Sequence, residues 1–418
     1  MFRSLRPKSR RALILYVVAA VLVLAGGATA AYFGFVKKPG NVSHPNVEFT
    51  QPTAAPKPKV VPETFKWPFY GYTPDRDRYL DANISPPFKR LWVWKAGSLL
   101  EFQPVLANGF LYLVENTGIA FAINANNGHI KWQRKVGSLN ASSPAWNNDR
   151  IYIATLSGAM TCLDARNGHL IWKRNIPSRS ESSPIVIHGV VYFGSEDGTV
   201  YALRASDGHP VWTYHAGGAV KAALAYSKGL LFFGDYSGTV TALRASDGSK
   251  AWDTGTNGRV FNQSGQFYST PAVAFGRVYL GNTDNFVYSF VAKTGQLAWR
   301  HSTGAYVYSA AAVANVPGIG PTVYIGSYDG TFYALDARSG SVRWSHADGG
   351  AISGAPTLVG KIVYFSNLRS KTTIGLSAIS GRKLWKSNHG AFNPVISDGK
   401  RIYLTGYSSE YALAPAGH

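Results

Sequence analysis

The chain has 418 residues, with 42 Lys and Arg against 22 Asp and Glu (formal net charge +20), one Cys and two Met. Its hydrophobic content of 45% excludes wholesale disorder, its length suits one large domain or two ordinary ones, and the single Cys excludes a disulfide framework or a Cys-rich zinc module. The 44 Gly, 24 Tyr and 11 Trp, with only 15% charged residues, favour an all-β chain rich in turns over a helical one.

Residues 1–11 are a basic tail carrying Arg3, Arg6, Lys8, Arg10 and Arg11, and residues 12–36 are apolar and uncharged. At about 1.5 Å per residue such a stretch crosses a bilayer core of roughly 30 Å. Five cations precede it and only Lys37 and Lys38 follow closely, so the positive-inside rule puts the N-terminus in the cytoplasm and everything after residue 40 outside. This predicts a single-pass transmembrane signal anchor in the cell membrane. A cleaved signal peptide is the competing reading, with Ala28-Thr29-Ala30 as the cut; Tyr32 to Val36 prolong the apolar run past it. No Cys lies nearby to carry a lipid. Residues 37–64, with six prolines from Pro39 to Pro62, read as an extended linker that holds the main domain off the membrane.

A repeat of about forty residues follows. Residues 191–212 (VYFGSEDGTVYALRASDGHPVW) align with residues 231–252 (LFFGDYSGTVTALRASDGSKAW). Related copies end at Trp132, Trp172, Trp299, Trp344 and Trp385, and in every copy a Gly stands four residues before the Trp, as at Gly208 and Gly248. Asn-Gly and Asp-Gly there mark hairpin turns, and the flanks alternate with strand periodicity. In the third copy the strands are expected at 183–187 (A), 190–194 (B), 200–204 (C) and 210–215 (D). A four-stranded unit has two apolar faces and cannot bury them alone; radial stacking solves this, which is the β-propeller.

The ends of the chain set the blade count. Trp92 holds the place of a D-strand Trp with no A, B or C strand before it, whereas residues 392–413 supply A, B and C strands and the chain stops at Gly417, near the place of a turn glycine. Pairing of 91–95 beside 409–413 completes a shared blade, giving an eight-bladed β-propeller closed by N- and C-terminal strands. Closure removes two exposed sheet edges. One Trp per blade reads as a packing device between blades, and small residues at the start of strand A, as in Ser142-Ser143-Pro144 and Ser182-Ser183-Pro184, suit the crowded axis.

The pattern Tyr-Ala-Leu-x-Ala-x-x-Gly-x-x-x-Trp at 201–212 and 333–344, the turns at 194–199 and 326–331, and the lead-in 67–78 (WPFYGYTPDRDR) resemble the pyrroloquinoline-quinone (PQQ)-like repeat. The resemblance spans residues 65–418. That family includes quinoprotein alcohol and glucose dehydrogenases and also non-catalytic BamB-like propellers of outer-membrane assembly. The dehydrogenase pattern implies an adjacent Cys pair over the cofactor, a calcium held by Glu, Asn and Asp, and an Asp base. Here Cys162 is alone, and it reads as a buried small residue rather than a reactive thiol.

Carboxylates recur in the B–C turns: Glu115, Glu196, Asp197, Asp235, Asp284 and Asp329. They belong on one face of the ring, either as a cation or ligand site at the axial mouth or as turn formers. His129, His169 and His209 recur at one turn position and read as solvent-facing. There is no nucleophile elbow and no phosphate loop. Two insertions break the period. Residues 253–267 lengthen a D–A connection on the face of the B–C turns, and residues 314–321 lengthen an A–B connection on the other. The first, with Arg259, Phe261, Gln263 and Phe267, is the candidate contact loop, joined at the mouth by Glu196, Asp235, Asp284 and Asp329.

Residues 1–59 carry nine cations and one Glu, leaving +12 for the remainder. An exported basic domain suits anionic lipid or acidic wall polymers; its scattered cations and outside placement argue against nucleic acid. The expectation is a membrane-anchored, extracytoplasmic, non-catalytic scaffold for envelope or membrane proteins, with no cofactor. The alternative is a quinoprotein dehydrogenase using PQQ with calcium, and a sensor of small sugars or wall fragments is a third reading.

Overall fold

The computed structural model describes residues 10–31, 40–52, 65–256 and 265–417. Eight antiparallel sheets form the blades of a propeller, six of four strands and two of five. In the third blade the strands are Ile185–Ile187, Val190–Gly194, Thr199–Arg204 and Pro210–His215. Strands B and D run as expected from the sequence; strand A starts two residues later and strand C one earlier.

The eighth blade is shared by the two ends of the chain. Phe88–Lys95 pairs antiparallel with Ser409–Pro415, in the register Lys95↔Ser409, Val93↔Tyr411 and Trp92↔Ala412. A register shift between Arg90 and Trp92 repeats the shift in the other C–D pairs, as between Ala202 and Leu203. The seam thus copies the covalently continuous blades down to their bulge.

Each repeated Trp reaches into the next blade. The indole Nε1 of Trp92, Trp132, Trp172, Trp212, Trp252, Trp299 and Trp344 donates to an Ala carbonyl there, at 2.9 to 3.1 Å. Under the ring lies that blade's C–D turn glycine: a Cβ on Gly208 would sit 2.6 Å from the Trp172 ring. These glycines also have φ of +70° to +75°, so the position demands Gly for both backbone and space. Trp385 has no such seat. Gly417 meets nothing within 4 Å, which corrects its reading as the eighth turn glycine, and the Phe88 ring lies edge-on to Trp385 at 5.5 Å instead.

The lead-in plugs one end of the axis. The carbonyls of Trp67, Pro68, Pro74, Asp75, Asp77 and Arg78 accept hydrogen bonds from strand-A amides of Leu106, Trp146, Tyr226, Val273, Val313 and Leu358, in six different blades. The Arg76 guanidinium donates to Ser183 and Leu224 carbonyls at 3.2 and 2.9 Å, and the Tyr70 hydroxyl donates to Asn393 at 3.3 Å. Those contacts bring in the third and eighth blades, so one segment touches all eight. Tyr79–Leu80 then adds a parallel strand to Thr357–Val359. Around the axis, hydroxyls stitch neighbouring strands: Ser182 donates to the Ala222 carbonyl at 2.9 Å and Ser143 to that of Gln103 at 2.5 Å.

One expectation needs correction. The linker 37–64 is not wholly a spacer. Val42–Ser43 pairs with Arg300 and Trp299 on the fifth blade's outer edge, and Arg277 donates to the carbonyls of Glu48 and Val47 at 3.0 and 2.8 Å. Val47 and Phe49 pack on an apolar cluster between the fifth and sixth blades. The cause is an unpaired edge with apolar surface beside it, which a Pro-interrupted strand can cover. At the N-terminus a helix spans Arg10–Ala31; residues 32–36 of the expected span 12–36 lie outside the described residues. Among the described residues no helix is long and apolar enough to cross a membrane.

Removing residues 88–97 takes the outer strand from the shared blade; the expected outcome is loss of cooperative thermal unfolding, read by circular dichroism. Gly208 and Gly189 have similar positive φ, +74° and +77°, but nothing lies within 4 Å of a Cβ on Gly189. Gly189→Ala is therefore expected to cost about 1 kcal/mol through backbone strain alone, and Gly208→Ala about 3 kcal/mol, since the Trp172 ring must also move. Denaturant unfolding of the two variants gives the comparison.

Candidate functional site

With one end plugged, the axis is open at the other, among the B–C and D–A turns. A cavity of about 340 Å³ lies there. Its floor includes Tyr70 of the plug, and its wall includes Tyr236, Tyr268, Tyr308 and Tyr328, with Glu101, Glu181 and Lys221 between them. The strands A begin at Val105, Ile185, Ala225, Ala272 and Ala312; four residues before each stand Glu101, Glu181, Lys221, Tyr268 and Tyr308. The well is therefore largely one repeat position read around the ring, where the side chain faces the axis and the repeat stops repeating.

The polar groups form a network. The Lys221 ammonium lies 2.8 Å from Glu181 and 3.2 Å from Glu196, and 5.6 Å from the centre of the Tyr236 ring. The Tyr268 hydroxyl donates to the other Glu181 oxygen at 2.8 Å. Burial, and then the Glu181 charge, push the Tyr268 hydroxyl pKa up. Burial opposes the charge on Lys221, but its two carboxylates outweigh this and raise its pKa. Tyrosines interlock edge to face, Tyr268 with Tyr308 at 5.5 Å and Tyr308 with Tyr328 at 4.9 Å. The Glu101 carboxylate has no hydrogen-bond or ion-pair partner among the described residues; burial first, and Glu181 second, raise its pKa.

The residues singled out from the sequence fall into three groups. Glu196 reaches the network through Lys221. Asp235, Asp284 and Asp329 close their own turns: Asp235 accepts from the Ser237 amide at 2.8 Å, Asp284 from the Phe286 amide at 3.1 Å and the Tyr288 hydroxyl at 2.5 Å, and Asp329 from the Thr331 amide at 2.7 Å. Glu115 accepts from the Thr117 hydroxyl at 2.6 Å and Asp197 from the Thr199 amide at 3.0 Å. Arg259, Phe261 and Gln263 lie outside the described residues. Phe267 is wholly buried in the cluster between the fourth and fifth blades, against Tyr288 at 6.0 Å. It anchors the end of the insertion and offers no surface to a partner. The other insertion is mostly sheet, extending Ala312–Val316 and Gly320–Gly326. Cys162 is buried, with its thiol pushed up to about 12 by burial. His129, His169 and His209 are exposed.

A planar tricarboxylate such as PQQ fits this well poorly, because the wall carries Glu101 and Glu181 against one ammonium that two carboxylates already hold. Arg78 is wholly buried beneath, its guanidinium 4.1 Å from the centre of the Tyr70 ring. Among the described residues no three His, Cys, Asp or Glu side chains come together as a metal would need.

The architecture is that of an eight-bladed propeller with a plugged axis. The family model described as outer membrane protein assembly factor BamB matches residues 89–214, 117–258 and 215–414, most of the ring, and the chain belongs to this family of PQQ-like repeat propellers. No curated protein matches the sequence. Among solved structures, BamB from Moraxella catarrhalis is similar at 18% identity and a TM-score of 0.66, covering 78% of this chain and 100% of that one. Quinohemoprotein alcohol dehydrogenase ADHIIG from Pseudomonas putida HK5 is similar at 14% identity and 0.73, covering 84% and 80%. A europium-containing methanol dehydrogenase is similar at 14% identity and 0.71, covering 84% and 98%. At these identities the likeness is one of fold.

The most displaced carboxyl at this end of the ring is outside the well. Glu410 takes the place that Val200 holds in the third blade, opposite Thr405 as Val200 is opposite Gly194. It is wholly buried with neither carboxylate oxygen hydrogen-bonded among the described residues, and burial, opposed only weakly by the Thr405 hydroxyl, raises its pKa from 4.5 to about 8. The folded chain then keeps a proton that the unfolded chain releases, so this group lowers stability as pH rises from about 4.5 to about 8, by up to about 1.4 kcal/mol per pH unit. Glu410→Gln is expected to exceed the parent in stability by about 2–4 kcal/mol at pH 8 and to match it below pH 4, measured by denaturant unfolding across pH.

Proposed function

We propose that this protein is a membrane-anchored, extracytoplasmic scaffold of the cell envelope that binds other envelope or membrane proteins and performs no chemistry of its own. The observation that carries this reading is the plug: the chain's own residues 67–80 fill one end of the axis and bond to every blade, leaving a ring whose axial well lies at the other end. Family membership supports it, since the family model is named for an assembly factor of the outer membrane. The anchor reading rests on the cations of 1–11 and the uncharged stretch 12–36, which favour an N-terminus inside and a ring outside. The basic surplus suits anionic lipid or wall polymer as an additional contact, and no nucleic-acid role is proposed. The quinoprotein alternative is disfavoured by the surplus of carboxylates in the well and by the absence of a second Cys from the sequence.

Alkaline phosphatase fused after residue 418 is expected to be active and to stay with membranes after an alkaline wash; deletion of residues 1–36 should abolish both. An inactive fusion would overturn the placement. Incubation of the purified protein with PQQ and calcium is expected to give no quinone absorbance and no dye-linked dehydrogenase activity, and a reconstituted activity would reverse the reading.

A further inference from the structure

The axial well combines features that neither turn formation nor core packing requires. Its wall is aromatic, its charge is mostly negative in a basic protein, and one of its carboxylates has no partner among the described residues. Glu181 is balanced by Lys221 and Tyr268, and Glu196 by Lys221 with the charge of Arg179 at the rim. Glu101 stands beside them with no partner among the described residues. Holding an unpaired carboxylate in a half-buried aromatic setting costs free energy, and the neighbouring Glu181 charge adds to that cost.

We infer that the well receives the side chain of an arginine presented by a loop of a partner protein. A guanidinium is planar and weakly hydrated, stacks on tyrosine faces and donates to a carboxylate through a fork. It therefore suits both features of the well at once, the Glu101 carboxylate and the tyrosine rings that line the cavity. Lys221 shows that the site already favours a cation, held by two carboxylates near the Tyr236 face. A neutral sugar would stack on the same rings but leave Glu101 unpaired, and a carboxylate ligand would be repelled. The rest of the molecule provides discrimination: residues 60–418 carry +12, so a cationic loop is disfavoured over the ring at large and favoured at the well. The loop as source of the arginine rests on the scaffold reading above; the preference for a guanidinium rests on the well alone.

The test uses the full chain in detergent with ¹³C-labelled tyrosine, titrated with an end-blocked Gly-Gly-Arg-Gly-Gly peptide and followed by NMR. The expected result is saturable shifts of well tyrosines, with the Gln-for-Arg peptide and N-acetylglucosamine oligomers binding at least about tenfold more weakly. Glu101→Gln should weaken binding of the Arg peptide about fivefold, and Lys221→Met, which removes the resident cation, should tighten it about threefold. Opposite signs from two variants of one well are not produced by general loosening, and melting curves establish that both are folded. Equal affinity for the Arg and Gln peptides, or variants that shift affinity in the same direction, would overturn the inference. Butylguanidinium binding as tightly as the peptide would overturn the partner loop as its source. A ring that binds the Arg peptide but fails the membrane tests above keeps its guanidinium site and loses the scaffold role, so the two failures are distinguishable.

Discussion

The seating of one indole on the next blade's glycine turn is the interaction on which the ring depends. Each sheet has two apolar faces, and only a neighbour at the right distance and angle buries them. The Trp fixes both: its ring lies where a Cβ would be, and its N–H finds the Ala carbonyl one turn away. Because a glycine with positive φ makes the hairpin and also clears space for the ring, a single residue type satisfies a local and a long-range demand. Seven such joints are alike, and the eighth, at the seam, replaces the glycine with the edge of Phe88.

The plug completes what the joints begin. Inner strands of a propeller leave an axial channel whose strand-A amides need acceptors. The lead-in supplies them from its own carbonyls in six blades, and Arg76 and Tyr70 reach the remaining two. This explains a segment so dense in aromatic and charged residues in which none of residues 67–78 is exposed. It also makes the ring asymmetric. One face is sealed by main chain, and the axial well opens on the other, among the turns and the ends of the D–A connections.

The fold was legible because it is periodic. Forty-residue spacing, turn glycines and the Trp ladder specify strands, and the unmatched Trp92 with the truncated last repeat specifies closure. Chemistry was less legible because the well occupies a repeat position at which residues differ: Glu101, Glu181, Lys221, Tyr268 and Tyr308 share no pattern until the blades are superposed. The turn carboxylates were easier to see and mostly serve their own backbone, as Asp235 and Asp329 do. Phe267 lies in an insertion, which suggested exposure, but its ring fills the gap beside Gly234 between two blades. The strap at 42–49 was hidden by the prolines in and around it, Pro39, Pro45 and Pro52, which signal an extended chain equally well when it is free and when it lies along an edge.

That strap shortens the leash. From Ala31, in the N-terminal helix, to Gly40, whose carbonyl accepts from Arg300 of the fifth blade, there are nine peptide steps, at most about 34 Å however they run. The prolines beyond residue 50 therefore add nothing to the reach of the ring from the helix. Wherever that helix sits, it stays within that distance of the fifth blade's outer edge, and the propeller is tethered at its side rather than at its hub.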